Sequence, residues 1–113
     1  MSEEPQKTID VYETNRFAKS LKKMPKQQLS LVEDEIEKII SDPEIGERKK
    51  GDLSYLRVHK FKLSGQLVLL GYSWYDQQLK LILLDIGPHE NFYQKASNKR
   101  DTDLDFIDTL LDS

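Results

Sequence analysis

The sequence predicts an α+β domain: two N-terminal helices packed on a small curved antiparallel sheet, in the order β-α-α-β-β-β, followed by an acidic tail. Three observations predict it. Two apolar stripes of helical period lie between residues 17 and 40. Three strand-like runs follow, joined by connections short enough for hairpins. The middle run, Leu67-Val68-Leu69-Leu70, is apolar on both faces and therefore reads as a central strand covered on both sides.

The elements follow in order. Residues 1–7 read as a loose polar tail, and residues 8–97 as the folded domain. Thr8 to Glu13 gives a short strand, with Ile9 and Val11 on one face. Thr14 or Asn15 supplies a helix cap, and Phe17, Leu21 and Met24 recur at i, i+4 and i+7. Pro25 suits the start of a second helix, because its missing N–H has no intrahelical partner to lose there. Leu29, Val32, Ile36, Ile39 and Ile40 form the buried stripe of that helix, and Ser41-Asp42-Pro43 ends it. A polar loop spans 44–52. Strand-like runs then cover Leu53 to Leu63, Gln66 to Trp74 and Leu79 to Ile86, with Ser64-Gly65 and Tyr75-Asp76-Gln77-Gln78 between them. Gly87-Pro88 is expected to stop the last strand, and His89 to Ala96 reads as a short helix or an extended return.

Composition narrows the function classes. A chain of 113 residues, 37% hydrophobic and 33% charged, supports one modest core. There is no cysteine, which removes disulfides, thiolate chemistry and Cys-ligated zinc. No apolar run nears the roughly 20 residues that span a bilayer. The polar, acidic N-terminus has no apolar signal segment, so a cytoplasmic location is expected, with no membrane partner. The net charge is -3, yet all 17 basic residues lie at or before Arg100. Between Gly46 and Lys62 there are six basic residues (Arg48, Lys49, Lys50, Arg57, Lys60, Lys62) against Glu47 and Asp52. A local basic patch of this kind can hold a polyanion.

The chemistry concentrates in two places, each holding one of the two histidines. Gly87-Pro88-His89-Glu90-Asn91-Phe92-Tyr93 sets a histidine and a tyrosine just beyond a buried strand. Arg57-Val58-His59-Lys60-Phe61-Lys62 reads as strand. Alternation puts Leu56 and Val58 on one face, and Tyr55, Arg57, His59 and Phe61 on the other. If the helices cover the Leu56/Val58 face, Arg57 and His59 look out of the open face, while Lys60 and Lys62 sit where the strand leaves the core.

Taken together these segments resemble the RelE/ParE superfamily of bacterial toxins. The resemblance covers roughly residues 8–97: the helix pair with Met24-Pro25-Lys26, the Asp42-Pro43 stop, the loop Gly46-Glu47-Arg48-Lys49-Lys50-Gly51-Asp52-Leu53, the strand Leu56 to Lys62, and Gly87 to Tyr93. It implies the helix-on-sheet fold and a cognate antitoxin as partner. RelE-like members cleave messenger RNA in the ribosomal A site, whereas ParE-like members inhibit DNA gyrase. The expectation is a ribosome-dependent messenger-RNA endoribonuclease that needs no metal and no cofactor. A gyrase inhibitor, and a member that only binds its antitoxin, are the alternatives.

RNA cleavage of this kind needs a base near the 2′-hydroxyl, an acid near the leaving 5′-oxygen, and positive charge on the phosphate. His89 matches the position where RelE-like nucleases carry His or Arg, and His59 lies in the strand that supplies their basic residues. Tyr93 lies near the family's C-terminal aromatic, a stacking or proton-transfer group. Arg57 completes the expected catalytic set, and Lys49, Lys50, Lys60, Lys62 and Phe92 are expected to bind substrate.

Residues 98–113 lie outside the resemblance. Five aspartates follow Arg100, and Thr102 can cap a helix whose Leu104, Ile107, Leu110 and Leu111 form an apolar stripe. So short a helix is marginal alone. It is expected to dock through that stripe and to set its aspartates against the basic patch.

Overall fold

A computed structural model describes residues 8–112, and in it both helical stripes and the three-strand meander form. Strand β1 is Asp10–Glu13, helix α1 Asn15–Lys22 and helix α2 Lys26–Ser41. A two-residue strand β2, Glu47–Arg48, follows, then a 3-10 turn at Gly51–Leu53. Strands β3 (Arg57–Leu63), β4 (Gln66–Tyr75) and β5 (Lys80–Pro88) make the meander. Helices α3 (Phe92–Asn98) and α4 (Arg100–Leu111) end the chain. The loose tail expected at 1–7 lies outside the described residues. Among the described residues no helix is long and apolar enough to cross a membrane.

The α+β class holds, with a five-stranded sheet in the order β1-β5-β4-β3-β2. The sheet is mixed rather than wholly antiparallel, because β1 pairs with β5 in parallel. The helix pair carries the chain from β1 across the sheet before the meander begins, so β1 meets β5 without a hairpin. Thr14 fixes this junction. Its Oγ1 accepts from the Phe17 amide at 3.1 Å, capping α1, and donates to the Leu84 carbonyl at 2.8 Å. Ser64-Gly65 turns β3 into β4 with both φ angles positive (52° and 80°), as a type I′ hairpin requires. Pro88 does not stop β5 before it. It is the last residue of the strand, opposite Val68. β1 pairs with β5 only as far as Leu83, and a residue without an N–H is tolerated where a strand has a free edge.

The sheet is covered on both faces, and this overturns one expectation. Helices α1 and α2 do not cover the Leu56/Val58 face. Phe17, Val32 and Ile39 pack with Leu63, Leu70, Tyr72, Leu81 and Leu83, and Phe61 joins them. That is the face of Arg57 and His59. Leu56, Val58, Leu69, Ile82 and Leu84 lie on the other face, under Phe92, Ala96 and Ile107 of the C-terminal helices. Leu69 and Leu70, both fully buried, give β4 the two-sided apolar character visible in the sequence. Each such buried Leu, Ile or Phe contributes about 1.5–3 kcal/mol.

The acidic segment begins its helix at Arg100, before Thr102. It docks on the chain's own sheet through Ile107, with Leu110 and Leu111 packed alongside. Asp103, in its first turn, does not reach the Lys49–Lys62 patch. Asp103 is buried instead against Arg16 of α1, with both carboxylate oxygens 2.8 Å from the guanidinium. The reason is geometric: α4 lies over β5, the neighbour of β1, where Arg16 of α1 and Lys80 of β5 meet it.

Candidate active site

The candidate site is built around the loop before β3. Tyr72 is fully buried on β4, and its hydroxyl donates to the Pro43 carbonyl at 2.7 Å and accepts from the Gly46 amide at 2.9 Å. A Cβ on Gly46 would lie 2.7 Å from that oxygen, so only glycine permits this approach. The anchored loop then pairs as β2 with β3, Glu47 opposite Val58 and Arg48 opposite Arg57. Alternation puts Glu47 and Lys49 on the Val58 face and Arg48 on the Arg57 face.

On the Val58 face Lys49 meets the C-terminal segment. Its Nζ lies 5.0 Å from the centroid of the Tyr93 ring, a cation–π contact, and 2.6 Å from Glu47 Oε1. The Tyr93 ring meets His89 edge-on, with centroids 6.4 Å apart and planes at 84°. Tyr93 is held there by Phe92, which is buried and meets it edge-on at 5.5 Å. Gly71 of β4 leaves room for this plug: a Cβ there would be 3.0 Å from the Phe92 Cζ. Lys60 and Lys62 share the face by alternation and are exposed, as is Lys50.

The Glu47 carboxylate holds the Lys49 ammonium above its ordinary pKa; burial works against this, and the Tyr93 hydroxyl adds to it. Glu47 is held below the usual carboxylate range, chiefly by Lys49, with smaller contributions from Lys60 and Lys50. Lys49 is therefore a cation at every physiological pH. Glu47 is the carboxylate that occupies it in this structure.

His59 and Arg57 are not part of this cluster. His59 Nε2 lies 2.8 Å from Glu35 Oε1 of α2, its side chain is 11% exposed, and its ring stacks on Phe61 at 5.7 Å. Arg57 Nη1 donates to the Gly46 carbonyl at 2.9 Å, and Nη2 lies 3.7 Å from Glu44. Both face the α2 side, across the sheet from His89. The site expected from sequence is thus divided. His89, Tyr93 and Lys49 come together, and Lys50 and Lys60 act on Glu47 beside them; Lys62 shares the face by alternation. Phe92 is a core residue beneath the site and not an open stacking surface. Glu47 and Glu35 are the partners that sequence reasoning missed. The signal for Glu47 was its alternation with Arg48 and Lys49, hidden because two residues are too few to read as a strand.

Residues 11–97 match the family model of the ParE-like toxin of type II bacterial toxin–antitoxin systems. No curated protein matches the chain in sequence. Among solved structures, an arginine double mutant of the Escherichia coli toxin RelE in the free state is similar with a TM-score of 0.64 and 16% identity. That match covers 80% of this chain and 96% of that one. The intact Escherichia coli RelBE toxin–antitoxin complex contains a chain matching at TM-score 0.60 and 17% identity, over 74% of this chain and 99% of that one. The archaeal RelE–RelB complex of Pyrococcus horikoshii matches at TM-score 0.53 and 18% identity, over 74% and 98%. These structures share the fold of this chain. With most of its length matched by the family model, this chain is a RelE/ParE superfamily toxin and belongs to the ParE-like toxins of type II bacterial toxin–antitoxin systems.

Proposed function

We propose that this toxin is a metal-independent endoribonuclease that cuts messenger RNA on the ribosome, with His89 as its principal proton-transfer group. The observation that carries the reading is the cluster of His89, Tyr93 and Lys49 on one face, with Lys50 and Lys60 beside its Glu47. In the reaction the 2′-hydroxyl attacks the neighbouring phosphorus. The bond to the 5′-oxygen breaks, a 2′,3′-cyclic phosphate forms, and one proton is taken from the 2′-oxygen as another reaches the leaving oxygen. His89 is suited to either transfer. Tyr93, held beside the Lys49 ammonium, is the candidate for the second. Lys49 and Lys60 oppose the charge that grows on the phosphate oxygens. The solved relatives that include RelE–RelB complexes support a cognate antitoxin as the partner that holds the toxin inactive.

One observation favours a second reading. His59 is tied to Glu35 on the other face, so only one imidazole serves the site. A gyrase-binding toxin needs no titrating group there. Induced expression with separate readouts of translation and DNA supercoiling decides between them. Cleaved ribosome-bound message, lost about 10²–10⁴-fold in His89→Ala, supports the nuclease. Altered supercoiling with intact message replaces it with gyrase inhibition.

A further inference from the structure

A second pocket lies at the end of the sheet away from His89. It measures about 200 Å³ and is lined by Arg48, Ser54, Tyr55, Arg57, Trp74 and Tyr75. Arg48, Arg57 and the half-buried Trp74 lie on one face of the strands here, while Tyr55 and Tyr75 also pack into the core of the opposite face. Both arginines are held in place by backbone carbonyls. Arg48 donates from Nε to Ser54 at 3.0 Å, and Arg57 from Nη1 to Gly46 at 2.9 Å. Among the described residues Arg48 uses no other donor, so its terminal amino groups remain for a ligand. The Glu44 carboxylate lies 3.7 Å from Arg57 and is itself largely exposed, a loose contact that an anion can replace. The volume is below the ~300–1,000 Å³ of pockets that bury drug-sized ligands, and fits one planar base.

We infer that this pocket binds one nucleotide of single-stranded RNA, the base stacking on Trp74 and the phosphate meeting Arg48 and Arg57, which share its face of the sheet. Rings that accept any base face, beside guanidiniums that pair with phosphate, are how unpaired strands are held without sequence readout. The position supports RNA rather than a peptide. Arg48 lines this pocket while its neighbour Lys49 reaches Tyr93 across the same edge strand. An RNA strand crossing that edge touches cations all the way from one site to the other. The pocket would anchor the strand at a distance from His89, and it stands whether or not His89 cuts.

Trp74 is the only tryptophan in the chain, so its fluorescence reports on this pocket alone. Titration of the full-length protein with a short single-stranded oligoribonucleotide should quench it saturably, and inorganic polyphosphate should not. Arg48→Ala should weaken binding on the order of tenfold and lower the slope of log affinity against log salt by about 0.7 for each phosphate left unpaired. Arg48→Lys, which keeps the charge, should recover part of the affinity. His89→Ala should bind as the wild type does, which separates this inference from the nuclease reading. On ribosomes, ultraviolet crosslinks from this pocket to message or to ribosomal RNA tell which strand occupies it. Absence of quenching, equal quenching by polyphosphate, unchanged affinity in Arg48→Ala, or quenching by the antitoxin but not by RNA would each overturn it.

Discussion

Asp103→Ala should detach the last helix from the body of the domain. Asp103 is 2% exposed and makes two charge-assisted bonds of 2.8 Å to Arg16, which also lies 3.5 Å from Asp85. Breaking a fully buried ion pair from one side costs about 3–5 kcal/mol, because the other charge is left uncompensated. Here the Arg16 side chain keeps 27% of its exposure and retains Asp85, so part of that penalty is relieved. The expected loss is about 2–3 kcal/mol, a large share of a typical stability of about 5–15 kcal/mol. α4 is then held by Ile107 and by the Lys80 ammonium on the Leu110 carbonyl, a weaker tie. Urea unfolding gives the stability, and amide exchange shows whether the loss is concentrated in residues 100–111. Arg16→Ala should cost a similar amount, and the double mutant clearly less than the sum. A loss below about 0.5 kcal/mol, or strict additivity, would show that the pair does not hold α4 and would refute the reasoning.

Three further outcomes are expected. Gly71→Ala should cost about 1–3 kcal/mol, because its Cβ would lie 2.9 Å from Leu56 Cδ1 and 3.0 Å from Phe92 Cζ. The displaced Phe92 moves Tyr93, so activity measured well below the melting temperature should fall as well; full activity would mean that Phe92 does not position Tyr93. Burial works to raise the Glu35 pKa, but hydrogen bonds from Lys38 and His59 outweigh it and hold the group below 4.5. The folded state therefore binds fewer protons than the unfolded chain, so this stabilisation is present above the unfolded value and is lost as pH falls through the lower folded one. Glu35→Gln should flatten the acid limb of a stability–pH curve below about pH 4.5, and an unaltered limb would remove Glu35 as its source. The buried Tyr55 hydroxyl has no hydrogen-bond partner among the described residues, and burial pushes its pKa up to about 12. Tyr55→Phe should therefore raise stability by about 1 kcal/mol; a thermal melt that falls instead would mean that the hydroxyl is satisfied.

What the sequence made legible was what repeats. The stripes of α1 and α2 are periodic over many residues, and Val32 and Ile39, seven apart, are both buried. The Ser64-Gly65 turn was legible because a two-residue hairpin demands left-handed backbone, and few residue types supply it. The site was less so, since alternation along β3 separates Arg57 and His59 from Lys60 and Lys62 without saying which set the helices cover. That choice depends on the C-terminal helices. Ile107 and Phe92 claim the Leu56/Val58 face, so α1 and α2 take the other and His59 finds Glu35. Two short helical segments, each weak in isolation, thus decide which basic residues of a central strand meet His89.

That dependence explains how the domain divides its work. The α1/α2 face is closed by long apolar stripes, and its one histidine is spent on a hydrogen bond with Glu35 of α2. The other face is only partly covered, because α3 and α4 lie over one stretch of it and leave Lys60 and Lys62 exposed. The opening between α3 and β2 is where Lys49, Tyr93 and His89 converge. A covered face can fix a backbone tightly, whereas an exposed face stays open to a ligand. Tyr72 and Phe92 connect the two requirements. Tyr72 lies in the α1/α2 core and reaches Gly46, which sets the start of β2; Phe92 lies in the opposite core and sets Tyr93. The groups at the opening are therefore held from both cores at once, so a substitution in either core that leaves the chain folded still displaces one half of the site relative to the other.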